Sequence, residues 1–198
     1  MATPIGHALA GYSVYVASSS FQPRNSILFW LCLLMAIAPD FDFLPGILHG
    51  QPNLYHQGAS HSLGAGLLVS FAAALIFCRE AFWKNWILLF FAYASHLVLD
   101  FFAPDGRPPY GQPVFWPISD RYYLAPPGLQ ILWGVHHAKA TSASTGDWIA
   151  SILQSRNLTA ISIEVLMTLP MILLARYASR WKNPANKTAL KHKNATTA

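Results

Sequence analysis

The chain has 198 residues, of which 54% are hydrophobic and 11% are charged, and its formal net charge is +5. Soluble domains carry about 25% charged residues, so this composition argues against a soluble protein and indicates a membrane protein. No basic patch is interleaved with aromatic residues, so no nucleic-acid partner is expected. The two cysteines, Cys32 and Cys78, lie in apolar runs, so we expect neither a disulfide framework nor a thiolate metal site.

Five helices are predicted in chain order, and no alternating strand pattern interrupts them, so the expected fold class is all-α. They cover residues 6–19, 26–38, 62–78, 86–102 and 159–177. The second ends at Pro39, and the fifth is interrupted by Pro170. We expect residues 1–178 to form one membrane-embedded domain and residues 179–198 to be a basic, disordered cytoplasmic tail.

These apolar runs are short for membrane spans, which need about 20 residues and rarely fewer than about 17. They therefore fit either short spans or the core of a soluble bundle. Trp83, Trp86 and Trp181 stand beside basic residues at the ends of runs, as interface anchors do. The runs are also too uniformly apolar to leave a hydrated face. We therefore predict an integral membrane helical bundle with four to five spans, in the inner or plasma membrane.

The basic residues predict how the chain is oriented. If the helices alternate in direction, Arg24, the loop of residues 79–85 and the C-terminal tail lie on one side. The loop of residues 39–61 on the other side has no Lys or Arg, although residues 103–147 have three. By the positive-inside rule, the basic loops and the tail face the cytoplasm. The two long loops then face away from it.

Seven histidine and aspartate residues fall at the outward ends of the predicted helices: His7, Asp40, Asp42, His56, His61, His96 and Asp100. His96 and Asp100 are four residues apart and therefore share one helical face. Imidazole and carboxylate ligands together suit zinc or a similar divalent ion, with manganese or magnesium as alternatives. The set exceeds the needs of one tetrahedral ion. We therefore predict a site for two or more divalent metal ions at the outer membrane face.

Each of these motifs also has a structural explanation, such as helix capping by Asp40 and Asp42. Ionisable residues in or beside apolar helices are costly, and their joint occurrence favours the functional interpretation. His7 belongs to the predicted site only if the first helix crosses the membrane. If that helix does not cross, His7 lies on the cytoplasmic side. His136 and His137 are weaker candidates for additional ligands. The proline-rich loop of residues 103–128 is expected either to roof the site or to dip into the interface.

Five stretches in this order resemble the YdjM-type family of membrane-bound predicted metal-dependent hydrolases: TPIGH, APDFD, HQGASHS, SHLVLD and PDGRPPYGQPVFWPIS. The resemblance extends to about Tyr123. The family is in turn distantly similar to zinc-dependent phospholipase C, an all-α fold with zinc ions held by His and Asp. The resemblance implies metal ligands among His7, Asp40, His56 or His61, His96 and Asp100.

The chain departs from the family pattern at one motif. The family usually has arginine and threonine where this chain has Gln57 and Ser60. If that arginine binds an anionic substrate, this chain lacks the contact. The histidines, the glycine and the final serine of the motif are kept.

The resemblance implies hydrolysis of a phosphoester or other ester of a lipid or interfacial substrate by metal-activated water. Asp40 and Asp100 are the expected catalytic residues, and membrane lipids are the expected partners. Asp42 is expected either to bind metal or to orient a histidine that does. One alternative is a non-enzymatic membrane protein that binds or handles divalent metal ions. Conduction of ions would need ionisable residues deep within several helices, and we expect none at the centres of the second, third and fifth. A second alternative is a structural bundle that binds no metal.

Overall fold

The computed structural model describes residues 1–18, 25–106, 108–132, 134 and 143–182. Within these ranges the chain is helical, and the only β geometry is an isolated antiparallel bridge between Gln112 and Tyr123. The α-helices are α1 Pro4–Ser18, α2 Ser26–Ile37, α3 Phe43–Leu48, α4 Leu63–Phe77, α5 Phe82–Phe102, α6 Thr145–Ile152 and α7 Arg156–Lys182. Short 3₁₀ helices cover Ala38–Asp42, Pro52–Leu54, Ala59–His61 and Pro127–Leu129. The all-α prediction is confirmed.

The five predicted helices correspond to α1, α2, α4, α5 and α7, with shifted ends. Helix α5 begins four residues earlier than predicted, because Phe82 packs on the apolar core as well. Pro39 ends α2 as predicted, but the chain stays helical through a 3₁₀ turn in which proline needs no N–H partner. Helices α3 and α6 were not predicted, since six and eight residues are too few to show a clear periodicity.

Three helical segments are long and apolar enough to cross a membrane: Ser26–Leu48, Phe82–Phe102 and Arg156–Tyr177. The first of them joins α2, the 3₁₀ turn and α3. Helices α1 and α4 have 15 residues each, which is below the length that a bilayer requires. Among the described residues, fewer helices are long enough to span a membrane than the four to five predicted, so that number is not confirmed.

Helices α1, α2, α4 and α5 pack side by side, and α7 packs on α1. The main core cluster includes Cys32 and Met35 of α2, Ala74 of α4, and Leu89 of α5. Gly11 lets α1 approach α2 closely, because a Cβ there would lie 2.5 Å from the carbonyl oxygen of Cys32. Small residues at such crossings are typical of helices that pack in membranes.

The helices alternate in direction, so their connections collect at two opposite ends of the bundle. At one end the start of α4 meets the last turns of α5, where the Tyr93 hydroxyl donates to the carbonyl of Ser60. At the other end Asn25 lies near Arg79, and Arg176 of α7 bonds to Tyr12 of α1. We call the first the site end and the second the basic end. Arg24 and residues 183–198, which are part of the predicted basic side, lie outside the described residues.

The proline-rich loop is attached to the site end by backbone hydrogen bonds. Leu63 at the start of α4 donates to the carbonyl of Val114 over 2.9 Å, and Ala125 donates to that of Phe101 over 3.0 Å. The buried Gln112 side chain donates to the carbonyl of Leu97 over 2.5 Å. The loop therefore lies along the ends of α4 and α5, beside the histidines and aspartates of the site end.

Candidate metal centre

All seven predicted site residues lie together at the site end of the bundle. His7, His61 and His96 are fully buried, and the other four are buried or nearly so. His7, the conditional member of the set, lies within this cluster. Its ring stacks on that of His96 at 3.6 Å between centroids, so α1 brings it into the cluster.

Four of these side chains point one ligand atom each toward a common centre. His96 Nε2 lies 3.3 Å from His61 Nε2, 3.6 Å from Asp40 Oδ1 and 3.3 Å from Asp100 Oδ2. His61 Nε2 lies 3.7 Å from Asp40 Oδ1 and 3.6 Å from Asp100 Oδ2. Zinc bonds of roughly 2.0–2.1 Å at tetrahedral angles place ligand atoms about 3.3–3.4 Å apart. These five distances approximate five edges of such a tetrahedron.

The far nitrogens of the two central imidazoles are held by hydrogen bonds. His96 Nδ1 lies 2.8 Å from the carbonyl oxygen of Ala36 at the end of α2. Since a carbonyl only accepts, Nδ1 carries the proton and Nε2 presents its lone pair to the centre. His61 Nδ1 lies 3.1 Å from Asp42 Oδ2, an arrangement that orients histidine ligands in metal sites.

The contacts of Asp42 fit the second of its two expected roles, that of orienting a histidine. Its Oδ1 accepts from His56 Nδ1 over 2.8 Å, and its Oδ2 accepts from the Ser60 hydroxyl and the Gln57 backbone. Both carboxylate oxygens of Asp42 thus accept hydrogen bonds, and they lie near Nδ1 of His61 rather than near Nε2, which faces the centre. Asp42 orients two histidines rather than pointing into the centre. Gln57 makes its contact from a left-handed backbone conformation, with φ 62°.

His7 and Asp100 extend the cluster beyond the four central atoms. His7 Nε2 lies 3.4 Å from Asp100 Oδ1, which also accepts from the Ala2 backbone over 2.7 Å. His7, His96 and Asp100 together place ligand atoms within 4.8 Å of one another, as Asp40, His56 and His61 also do. Asp100 therefore has one oxygen toward His7 and the other toward His96 and His61.

The electrostatics of the loop histidines follow from the carboxylates around them. Burial of the His61 ring lowers its pKa, but Asp42 and Asp40 outweigh this effect and raise the pKa to about 10. Burial dominates at His56 and lowers its pKa, despite the bond to Asp42. The His56 ring stacks on Phe43 at 3.8 Å, and its Nε2 lies 3.1 Å from the Met1 sulfur. The carboxylates around His61 thus make a negatively charged surrounding that stabilises a positive charge at this position.

Several buried polar atoms of the cluster have no hydrogen-bond partner among the described residues. They are both ring nitrogens of His7, both carboxylate oxygens of Asp40 and Oδ2 of Asp100. Buried polar groups normally have a partner, and a buried charge without one is costly. The donor set of imidazole nitrogens and carboxylate oxygens matches what zinc prefers. The residues present therefore fit a divalent metal ion.

Sequence reasoning missed one buried acid near the cluster. Glu164 of α7 is 1% exposed and accepts from the backbone and side chain of Thr3. It lies within the fifth predicted helix, so the expectation that the centre of that helix lacks ionisable residues was wrong. A glutamate inside an apolar run was the available signal. Glu164 thus anchors Thr3. The preceding residue, Ala2, donates its backbone N–H to Asp100.

A recess of about 580 Å³ opens beside the cluster and has a wall of mixed polarity. We call it the polar recess, because it holds the charged and polar side chains of this side of the cluster. Asp42, His56 and Gln57 form one part of its wall, and the proline-rich loop contributes Pro108 and Tyr122. The proline-rich loop thus borders the site. Covering the site was one of the two roles expected for this loop. The weaker candidates His136 and His137 lie outside the described residues.

Comparison with known proteins identifies the family. The sequence matches the YdjM inner membrane protein family over residues 1–183. The family expected from the five motifs is confirmed, and the match extends well beyond Tyr123, where the visible motifs end. No curated protein and no solved structure matches the chain. Because the match covers most of the chain, the protein belongs to the YdjM inner membrane protein family.

Proposed function

We propose that this membrane protein is a metal-dependent hydrolase whose ion is held by His61, His96, Asp40 and Asp100. The observation that carries the proposal is the convergence of four ligand atoms at tetrahedral spacing. Among the described residues, both oxygens of Asp40 and Oδ2 of Asp100 have no hydrogen-bond partner. Zinc is the first choice of metal, with manganese or magnesium as alternatives. When bound, such an ion supplies Lewis-acid chemistry, which activates water and polarises an ester oxygen.

The residues around the ion have separate tasks in this proposal. Asp100 is held in place by the Ala2 N–H at Oδ1 and offers Oδ2 to the centre. Asp40 has both oxygens free of hydrogen bonds, so the oxygen that does not bind metal can accept a proton from an attacking water. Asp42 keeps His61 and His56 in their orientations.

A second ion would be held by His7 together with Asp100 Oδ1. Burial of an imidazole without a hydrogen-bond partner at either nitrogen is otherwise unexplained. In two-metal sites a carboxylate commonly joins the ions, and Asp100 lies between the two groups of ligands. Two ions suit displacement at a phosphoester, where both the attacking and leaving oxygens need stabilisation.

The proposed substrate is a phosphoester or other ester of a lipid or interfacial molecule. Its support is the position of the cluster at the end of apolar helices, beside an open polar recess. The preference for a phosphoester rests on the resemblance described above. Arg79 and Arg176 lie at the basic end, and by the positive-inside rule this supports a site on the side away from the cytoplasm.

Metal analysis of the protein purified in detergent tests the proposal. The wild type is compared with His96→Ala and with His49→Ala, which removes an exposed histidine outside the cluster. We expect about one or two equivalents of zinc in the wild type and in His49→Ala, and a loss in His96→Ala. Equal metal content in all three proteins, or no metal after zinc is added, refutes the proposed centre. Monodisperse elution of each variant confirms that it is folded.

Hydrolysis is tested separately on the zinc-loaded protein with a panel of phosphodiesters, phosphomonoesters and carboxylic esters. We expect turnover of at least one phosphoester by the wild type, and its loss in Asp40→Asn. Hydrolysis that is equal in Asp40→Asn and wild type contradicts the assigned role of Asp40.

Handling of metal ions without hydrolysis is the second candidate function. Buried Glu164 favours it, because an acid inside a candidate span is one of the features that a path for ions requires. Proteoliposomes loaded with a zinc-sensitive dye separate the two candidates. Zinc uptake that depends on Glu164, without ester turnover, supports the second function over the first.

A further inference from the structure

A second recess adjoins the cluster, and its wall is almost entirely apolar. It has a volume of about 270 Å³ and lies between the 3₁₀–α3 segment and α6. Phe43 and Ile47 line it from one side, and Trp148 and Ile152 line it from the other. Asp40 is the only charged residue among those that line the recess in the described part of the chain. The recess thus reaches a carboxylate of the proposed metal centre.

The rim of this apolar recess carries large exposed side chains. Phe41 and Leu44, which line it, are 46% and 56% exposed, and both belong to the candidate span Ser26–Leu48. On the facing helix α6, Ile149 and Leu153 are exposed as well. Exposed apolar residues on a spanning helix are stable against lipid rather than water. A hydrocarbon chain can therefore enter the recess from the bilayer without crossing water.

The polar and apolar recesses meet back to back at the cluster. His56 lines the polar recess and Phe43 lines the apolar one, and their rings stack at 3.8 Å. Asp42 belongs to the polar side, whereas Asp40, two residues earlier, belongs to the apolar side. A molecule that fills both recesses has to be polar at one end and apolar at the other, with its junction beside the carboxylates.

We propose that the apolar recess binds a hydrocarbon chain of the substrate, which is therefore an amphiphilic lipid ester with its ester group beside Asp40. The head group lies in the polar recess next to Asp42 and His56. Ligand pockets usually measure roughly 300–1,000 Å³, so the apolar recess suits one chain rather than a whole two-chain lipid. The position of the ester rests on the proposed function, whereas the binding of the chain does not.

Photo-crosslinking tests the inference by a readout other than activity. The full-length protein in phosphatidylcholine nanodiscs is irradiated with an alkyl phosphate that carries a diazirine near the end of its chain. Labelled residues are mapped by mass spectrometry, and zinc content is measured on the same samples. Ile152→Trp fills the recess from α6, whereas Ile149→Trp makes the same change at an exposed position of that helix. Ile47→Trp fills the recess from α3 and serves if the first variant does not fold.

We expect labels on Phe43, Ile47, Trp148 or Ile152 in the wild type and in Ile149→Trp, and loss of most of these labels in Ile152→Trp. Labels spread evenly over exposed apolar faces overturn the inference, as do labels confined to the larger groove along Val98 and Phe101. If the recess is labelled but no protein binds zinc, chain binding stands and the proposed centre fails. If zinc is bound and the recess is unlabelled, the centre stands and the recess proposal fails.

Discussion

The site end and the basic end of the bundle are made by the same helices but use polar residues differently. At the basic end, two polar side chains bond to the backbone of their own or the next helix turn. Asn25 accepts from the N–H groups of Ile27 and Leu28 at the start of α2, and Arg79 donates to the carbonyl of Leu75. At the site end, histidines and aspartates face one another, and several of their buried atoms have no partner. Capping stabilises a helix, whereas converging unpaired ligand atoms indicate a site.

The largest effect is expected from loss of a central ligand. Asp100→Asn removes the negative charge that faces His61 and His96, so we expect more than about a 100-fold loss of zinc affinity. Asp120→Asn makes the same change at an exposed position of the proline-rich loop and should leave affinity unchanged. Zinc titration against a competing chelator measures both. Equal affinity in the two variants would show that Asp100 does not hold the ion.

A smaller loss is expected when the orienting carboxylate is changed. In Asp42→Asn the amide has one acceptor atom, so one of the two imidazoles of His56 and His61 loses its acceptor. Orienting groups of this kind are worth about 10- to 100-fold in metal affinity. The same titration measures it. An affinity loss as large as that of Asp100→Asn would show that Asp42 itself binds the metal.

Zinc affinity is expected to fall as the pH falls. The pKa of His61 is raised to about 10 in the metal-free protein, so at neutral pH zinc has to displace a proton from this ring. Each displaced proton weakens binding about tenfold for every unit by which pH is lowered below that pKa. Titrations between about pH 6 and pH 8 measure the slope. An affinity that is independent of pH would mean that His61 does not bind the ion.

The smallest effect is expected at the basic end. Asn25→Ala removes the cap of α2 and should destabilise the protein by about 1 kcal/mol, without changing zinc affinity. Thermal unfolding in detergent, with and without zinc, measures the stability change. A reduced zinc affinity in this variant would show that the two ends are coupled through α2, whose last turn holds His96 at the carbonyl of Ala36.

Much of the cluster could be predicted because helices that alternate in direction bring their connections to two ends. His96 and Asp100 share a face by their spacing, and Asp40 follows an apolar helix. The choice between the two expected roles of Asp42 could not be made from sequence, because two carboxylates two residues apart look alike there. Only the turn that directs Asp42 toward Nδ1 of His56 and His61 separates them. Glu164 was missed although its position in an apolar run was visible.

The sequence by itself determined the fold class, the apolar helices, the family and the set of histidines and aspartates at one end of the bundle. The family follows from the resemblance of five motifs, and the other features follow from composition, periodicity and chain order, which are local properties. The tertiary structure decided which atoms face one another, that His7 stays with the cluster, and that polar and apolar recesses meet at Asp40 and Asp42. Such features depend on side-chain direction and on contacts between residues distant in sequence, which no local pattern contains.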